Sequence, residues 1–195
     1  MIKAVLFDVD GVLINGNLFS QNYFDDFGYK IPSDFFVTEF EDALVGKKDL
    51  KEILRSKLVE WKWKKSVDEL VEYWLNVSQE VDQELVNVVL LLKSKGIKCF
   101  VVTNQAKYRA ENVAVKLGFN KLFDGIFPSA HVGYTKPNSK FFQKVLKKIN
   151  YQAENVVYFD DSPENIKGAS LLGIKAFLYE DADTLKKILK EYHIL

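Results

Sequence analysis

Four short apolar runs, at 2–7, 97–102, 156–159 and 174–179, each give way to polar or glycine-containing residues. Runs of this length, apolar at consecutive positions rather than at alternate ones and broken only by Lys3, Lys98 and Lys175, describe strands buried on both faces. Between the later runs lie helical patterns. Residues 82–95 place Leu85, Val88, Val89 and Leu92 on one face and stop at Gly96. Residues 106–117 stop at Gly118, and Phe141, Phe142, Val145, Leu146 and Ile149 form a further stripe, with Pro137 suited to a first helical turn. Helices are also expected over 165–172, stopped by Gly173, and over 183–192. Strand alternating with helix predicts an α/β fold: a Rossmann-like parallel sheet with helices on both faces.

The first run is followed by about 65 residues before the pattern resumes. That stretch, 15–79, holds all three tryptophans (Trp61, Trp63, Trp74) and many phenylalanines and leucines at helical spacing. It predicts a small helical subdomain, residues 15–79, inserted into a core made of 1–14 and 80–195. No repeat, low-complexity tract or flexible linker interrupts it. The Lys62-Trp63-Lys64-Lys65 segment reads as a solvated face rather than a binding patch.

Composition narrows the function classes. Lys plus Arg (27) equals Asp plus Glu (27), so no long-range positive field favours nucleic acid or an anionic membrane as partner. One cysteine and two histidines exclude an internal disulfide framework and a His/Cys zinc cage. The apolar start is cut at Asp8 and Asp10, short of a signal-peptide core or the roughly 20 residues of a membrane span. A cytoplasmic protein is expected, its oligomeric state open.

Two of the apolar runs end in paired carboxylates. Phe7-Asp8-Val9-Asp10-Gly11 closes the first, and Phe159-Asp160-Asp161-Ser162-Pro163-Glu164-Asn165 the third. Taken alone, the first reads equally as an Asp-Gly turn with two solvated acids or as a site. In one parallel sheet, however, both pairs reach the carboxyl edge, where open α/β sheets place their ligand crevice. Four such oxygen-rich side chains suit Mg²⁺, which prefers carboxylates, carbonyls and water. The second run brings Thr103-Asn104 to the same edge, and Thr135-Lys136-Pro137 adds an ammonium before a helix. Each has a plainer role: Thr103, Asn104 and Asp160 as helix caps, Lys136 as a surface charge. All of them converging describes a site for a dianionic group and a divalent metal.

The order Asp8-Val9-Asp10-Gly11, Thr103-Asn104, Lys136-Pro137, Asp160-Asp161 resembles the four motifs of the haloacid dehalogenase (HAD) superfamily, over residues 2 to about 179 apart from the insertion. The insertion point is similar to that superfamily's helical C1 cap. The resemblance implies that Asp8 is the nucleophile forming an aspartyl-phosphate, and Asp10 the acid/base, with its main-chain carbonyl on Mg²⁺. It implies that Thr103, Asn104 (through its backbone) and Gly11 contact the phosphoryl group, that Lys136 neutralises nucleophile and phosphate, and that Asp160 and Asp161 hold the metal directly or through water. An acid at position 10 fits phosphoryl transfer, since a departing halide needs no proton.

The expected activity is Mg²⁺-dependent hydrolysis of a small phosphorylated metabolite such as a sugar phosphate. The alternatives are a phosphosugar mutase on the same core and a catalytically silent phosphate-binding protein. Lys47 and Lys48 after Gly46, His131, and Arg109 after Tyr108 are open between substrate contact and an ordinary surface or loop role, the latter taken as default. Asn165 is open between steadying the acid loop and packing at a helix start. Cys99 reads as core.

Overall fold

Why the apolar runs become a sheet is clear from their burial. The computed structural model describes residues 1–16, 18–77 and 80–195. Its strands are β1 (Ala4–Phe7), β2 (Ile14–Asn15), β3 (Glu80–Val81), β4 (Lys98–Thr103), β5 (Gly125–Pro128), β6 (Val156–Asp160) and β7 (Lys175–Leu178). Five of them form a parallel sheet in the order β5-β4-β1-β6-β7. All four residues of β1 are buried, and successive side chains go to opposite layers. Val5 and Phe7 pack with the helices Gln83–Ser94 and Ala182–Glu191, whereas Ala4 and Leu6 pack with Ser139–Ile149 and Pro163–Ser170. The α/β class and the layering on both faces agree with the sequence pattern.

Several boundaries differ from it. β5, at the sheet edge, has no counterpart among the four apolar runs: its residues, Gly-Ile-Phe-Pro, offer only two apolar side chains between a glycine and a proline. Pro137 is not in a helix. The helix begins at Ser139, where the Asn138 side chain accepts from Lys140 N–H, and the Lys136-Pro137 bond is cis. The expected 106–117 helix is α-helical over Lys107–Glu111 and continues as a π-helical turn over Asn112–Lys116. The helix after β6 starts earlier than expected, at Pro163, because Ser162 caps it.

Among the described residues the insertion folds as five helices, Phe19–Phe27, Asp34–Val37, Glu39–Leu44, Leu50–Arg55 and Val67–Asn76. They share an apolar core around Tyr23, Leu54, Trp61 and Leu70, all almost fully buried. Of the tryptophans only Trp61 is buried; Trp63 and Trp74 are partly exposed. The two ends of the insertion meet in a short antiparallel pairing, Ile14 opposite Val81 and Asn15 opposite Glu80. The expected insertion end, Gln79, lies outside the described residues. Among those residues no helix is long and apolar enough to cross a membrane.

Candidate active site

β1 lies between β4 and β6, with Phe7 in register with Val101 and Phe159. One residue past this row, Asp8 leaves the sheet with its N–H donated to the Phe159 carbonyl. Thr103 ends β4 and Asp160 ends β6. Three adjacent buried strands thus deliver polar side chains to one edge.

The Lys136 ammonium joins them. It lies 2.8 Å from Asp8 and 2.6 Å from Asp160, and its side chain is 1% exposed. Its loop is clamped by Asn104, whose side-chain oxygen accepts from Lys136 N–H at 2.8 Å and whose amide donates to the Lys136 carbonyl at 3.0 Å. On the other side, Gly168 lets the Pro163–Ser170 helix lie against this loop, because a Cβ there would meet the Pro137 carbonyl oxygen at 2.3 Å.

The two acids of β6 have different surroundings. Asp160 has both oxygens engaged: one accepts from Lys136 and the Tyr158 hydroxyl, the other from Ser162 N–H and the Asn165 amide, each at 2.9 Å. Burial opposes its ionisation, but Lys136, Tyr158 and Asn165 together hold its carboxyl below the usual range. Asp161 points to Gly11. A Cβ on Gly11, which has φ of +78°, would lie 2.2 Å from an Asp161 oxygen. Burial and the charges of Asp160 and Asp10 push the Asp161 carboxyl up.

Asp8, Asp160 and Asp161 each offer a carboxylate oxygen within 4.8 Å of the others. Burial, with Asp160 adding to it and Lys136 opposing, raises Asp8 to about 7. Lys136 is desolvated, yet Asp8 and Asp160 more than compensate and raise its own pKa. One ammonium therefore serves a cluster with more negative charge than it can neutralise. This is the circumstance in which a divalent cation fits, and the donors are the hard oxygens that Mg²⁺ prefers. Asp8 and Asp161 have the freer oxygens to offer it; those of Asp160 are taken.

Asp10 stands apart from this trio. Its carboxylate accepts from the Gln105 amide, and Arg109 lies 3.4 Å away. Arg109 is 8% exposed and also donates to Asn112 at 3.1 Å. The default surface role for Arg109 is thus overturned: the helix Lys107–Glu111 turns it inward beneath the insertion. Gln105 carries no sequence signal beyond lying two residues after Thr103. Thr103 is 1% exposed where β4 ends. The Gly11 N–H is donated to the Ile14 carbonyl, so Gly11 contributes room rather than a donor. A cavity of about 490 Å³ is lined by Asp8, Asp10, Gly11, Asp161, Gln105 and Arg109 on the core side. Lys47 and Lys48 pair with Asp42 and, with His131, line a different cavity. Cys99 is fully buried.

A family model described as haloacid dehalogenase-like hydrolase matches residues 2–173. The chain belongs to the haloacid dehalogenase-like hydrolases. Among the relatives it matches, PpaX of Clostridium perfringens is 30% identical over 187 residues, covering 90% of this chain and 85% of PpaX. A glyceraldehyde 3-phosphate phosphatase of Methanocaldococcus jannaschii is 27% identical over 194 residues, covering 89% and 83%. The match to drimenol cyclase drtB of Aspergillus calidoustus, 37% identical over 92 residues, takes in 47% of this chain and spans only 17% of the cyclase. In fold, a HAD family enzyme of Bacteroides thetaiotaomicron, solved with magnesium and inorganic phosphate, superimposes with a TM-score of 0.82 at 20% identity over 95% of this chain and 99% of that one.

Proposed function

We propose that this hydrolase is a Mg²⁺-dependent phosphomonoesterase working through an aspartyl-phosphate on Asp8, with residues 15–79 as its cap and 1–14 with 80–195 as its core. The observation that carries this reading is Lys136, nearly inaccessible to water and bonded at once to Asp160 and to Asp8, which lines the acid-lined cavity. A phosphatase relative and a magnesium- and phosphate-bound neighbour in fold support it.

A carboxylate approaching a phosphate dianion meets like-charge repulsion of roughly 1 kcal/mol at 4 Å in water and several times that where water is scarce. Lys136 offsets it directly. Mg²⁺, held by Asp8, Asp161 and the Asp10 main-chain carbonyl, with Asp160 behind them, supplies further neutralising charge on the phosphoryl oxygens when bound. An Asp8 oxygen attacks phosphorus and the ester P–O bond breaks, while Asp10 gives its proton to the departing alcohol oxygen. Asp10 then takes a proton from water as the water oxygen attacks phosphorus, and the bond to Asp8 breaks to restore its carboxylate. Gln105 and Arg109 keep the Asp10 carboxyl aimed between these two tasks, and such a positioned acid/base contributes about 10² to 10⁴ in rate. The Thr103 hydroxyl and the Asn104 backbone complete the phosphoryl seat, and the Asn104 side chain positions Lys136.

The test is release of inorganic phosphate from acetyl phosphate and small phosphate esters with and without Mg²⁺. Turnover that needs Mg²⁺ and disappears in Asp8→Asn is expected; metal-independent turnover, or none on any phosphate, contradicts the reading. Free phosphate rather than an isomeric ester as product separates it from a mutase. With its one cysteine buried and unpaired, the chain suits a reducing compartment, and the cytoplasm is the location we propose.

A further inference from the structure

The acid-lined cavity does not end at Asp10. A second cavity of about 220 Å³ adjoins it, sharing Asp10, Gln105 and Arg109 on the core side and Leu18, Phe19 and Trp74 on the insertion side, and is otherwise lined mainly by the insertion. The walls there are Phe19, Phe36, Phe40, Leu50, Val71 and Trp74. Phe19 lies flat on Trp74, with ring centroids 3.9 Å apart and planes 6° from parallel, and Phe40 stacks on the same indole at 5.1 Å. Among the described residues, Ser20 is the one polar side chain that the insertion contributes, and it contributes no charged one.

Such a slot discriminates by what it cannot offer. Beyond the core end, where Asp10, Asn104, Gln105 and Arg109 line it, the hydroxyls of a sugar pushed among the insertion's rings would give up their hydrogen bonds to water and find little beyond Ser20 in exchange. A hydrocarbon group would instead remove from water both its own surface and that of Phe36, Phe40 and Trp74, which are partly exposed. The slot starts at Asp10, the group proposed to protonate the departing oxygen, so whatever occupies it is the alcohol portion of the ester. Its capacity is also bounded. An apolar cavity of about 150 Å³ takes benzene, so one of 220 Å³ admits a hydrocarbon group of about nine carbons.

Building on the phosphomonoesterase reading, we propose that the substrate is the phosphate monoester of a hydrocarbon alcohol, aliphatic or aromatic, with its tail between the insertion's aromatic rings and its phosphate on Asp8. It differs from the sugar phosphate expected from the sequence.

The experiment measures kcat/KM of the full chain with Mg²⁺ for the n-alkyl phosphates from ethyl to decyl, beside glucose 6-phosphate, glycerol 3-phosphate and acetyl phosphate. The expected result is a rise of about fourfold per added methylene until the slot fills, with both polyol esters no better than ethyl phosphate. A flat or falling series, or a polyol ester outrunning octyl phosphate, overturns the inference and leaves the phosphomonoesterase reading intact. Failure to turn over any ester or acetyl phosphate overturns both. Phe40→Ser is expected to lower the octyl-to-ethyl ratio of kcat/KM about tenfold or more. The ratio is taken within one preparation, so any loss of folded protein cancels, and an unchanged ratio counts against the slot as the binding site.

Discussion

The floor and the roof of the cavity are built in opposite ways. On the floor, Asp8, Lys136, Asp160, Tyr158 and Asn165 are tied to one another by short polar contacts, and each comes from the end of a buried strand or the helix or loop beside it. In the roof the contacts are between rings, Phe19 with Trp74 and Phe40 with Trp74, and polar groups are sparse. Directional bonds fix a geometry to fractions of an ångström, which chemistry at phosphorus needs. Ring packing fixes a volume and a polarity, which is what selection of an alcohol needs. The difference implies that changes to the floor show in rate, metal affinity and charge-linked stability, whereas changes to the roof show in which ester is turned over.

The strongest way to break this contrast is Asp8→Asn, expected to lower phosphate release by about 10⁴-fold or more; a milder loss in steady-state assays would remove Asp8 from the chemistry. Next comes Lys136→Met. It leaves the Asp8 and Asp160 carboxylates buried without their ammonium, and urea unfolding of the metal-free protein should show a loss of about 3–5 kcal/mol. Addition of Mg²⁺ should restore part of that loss, since the ion would supply the missing charge.

pH sharpens the same point. Asp8, raised to about 7 chiefly by burial, holds its proton more tightly in the fold than in the unfolded chain. Its contribution to stability is therefore complete below the ordinary carboxylate range and fades as pH climbs through about 7. Asp160, held low by Lys136 and its other donors despite burial, contributes in the opposite sense, losing its share as pH falls below that range. Because Mg²⁺ must displace the Asp8 proton, calorimetric affinity for the ion should fall by up to about tenfold per unit below pH 7. An affinity flat from pH 5 to 8 would put Asp8 outside the metal site.

Gly11→Ala tests the close approach between the first acid loop and Asp161. A methyl group at φ of +78° would strike the Asp161 carboxylate, and weaker Mg²⁺ binding with about 1–2 kcal/mol of backbone strain is expected. The smallest effect is expected in the roof. Trp74→Ala removes a half-buried ring and should cost about 1–2 kcal/mol in thermal unfolding, less than a fully buried aromatic, while calorimetry finds Mg²⁺ affinity unchanged.

The floor is legible in the sequence because several of its residues close a largely apolar run, and a buried parallel strand carries the residue at its carboxyl end to the sheet edge. Asp8, Thr103 and Asp160 are of this kind. Lys136 lies on a loop, and its recognition rests on the order of motifs; its burial comes from the Asn104 clamp, a long-range contact without a local signature. Gln105 and Arg109 are hidden for the same reason. An arginine near a helix start is ordinarily exposed, whereas this one is drawn inward against Asp10 and Asn112. The Ile14–Val81 pairing is too short for periodicity to register, and in β5 a glycine and a proline bracket just two apolar residues. In the roof, composition announces an aromatic core, but which rings face the acids depends on how short helices pack, and the slot emerges only with the structure.

The most direct test of the central claim is to quench the wild-type protein in acid during turnover of a phosphate ester with Mg²⁺ present, digest it, and locate any added phosphoryl mass. That mass is expected on the peptide carrying Asp8, specifically on that side chain, and is expected to disappear when Mg²⁺ is chelated. Rapid turnover with Asp8 unmodified at every quench time, and equal turnover by Asp8→Asn, would contradict it.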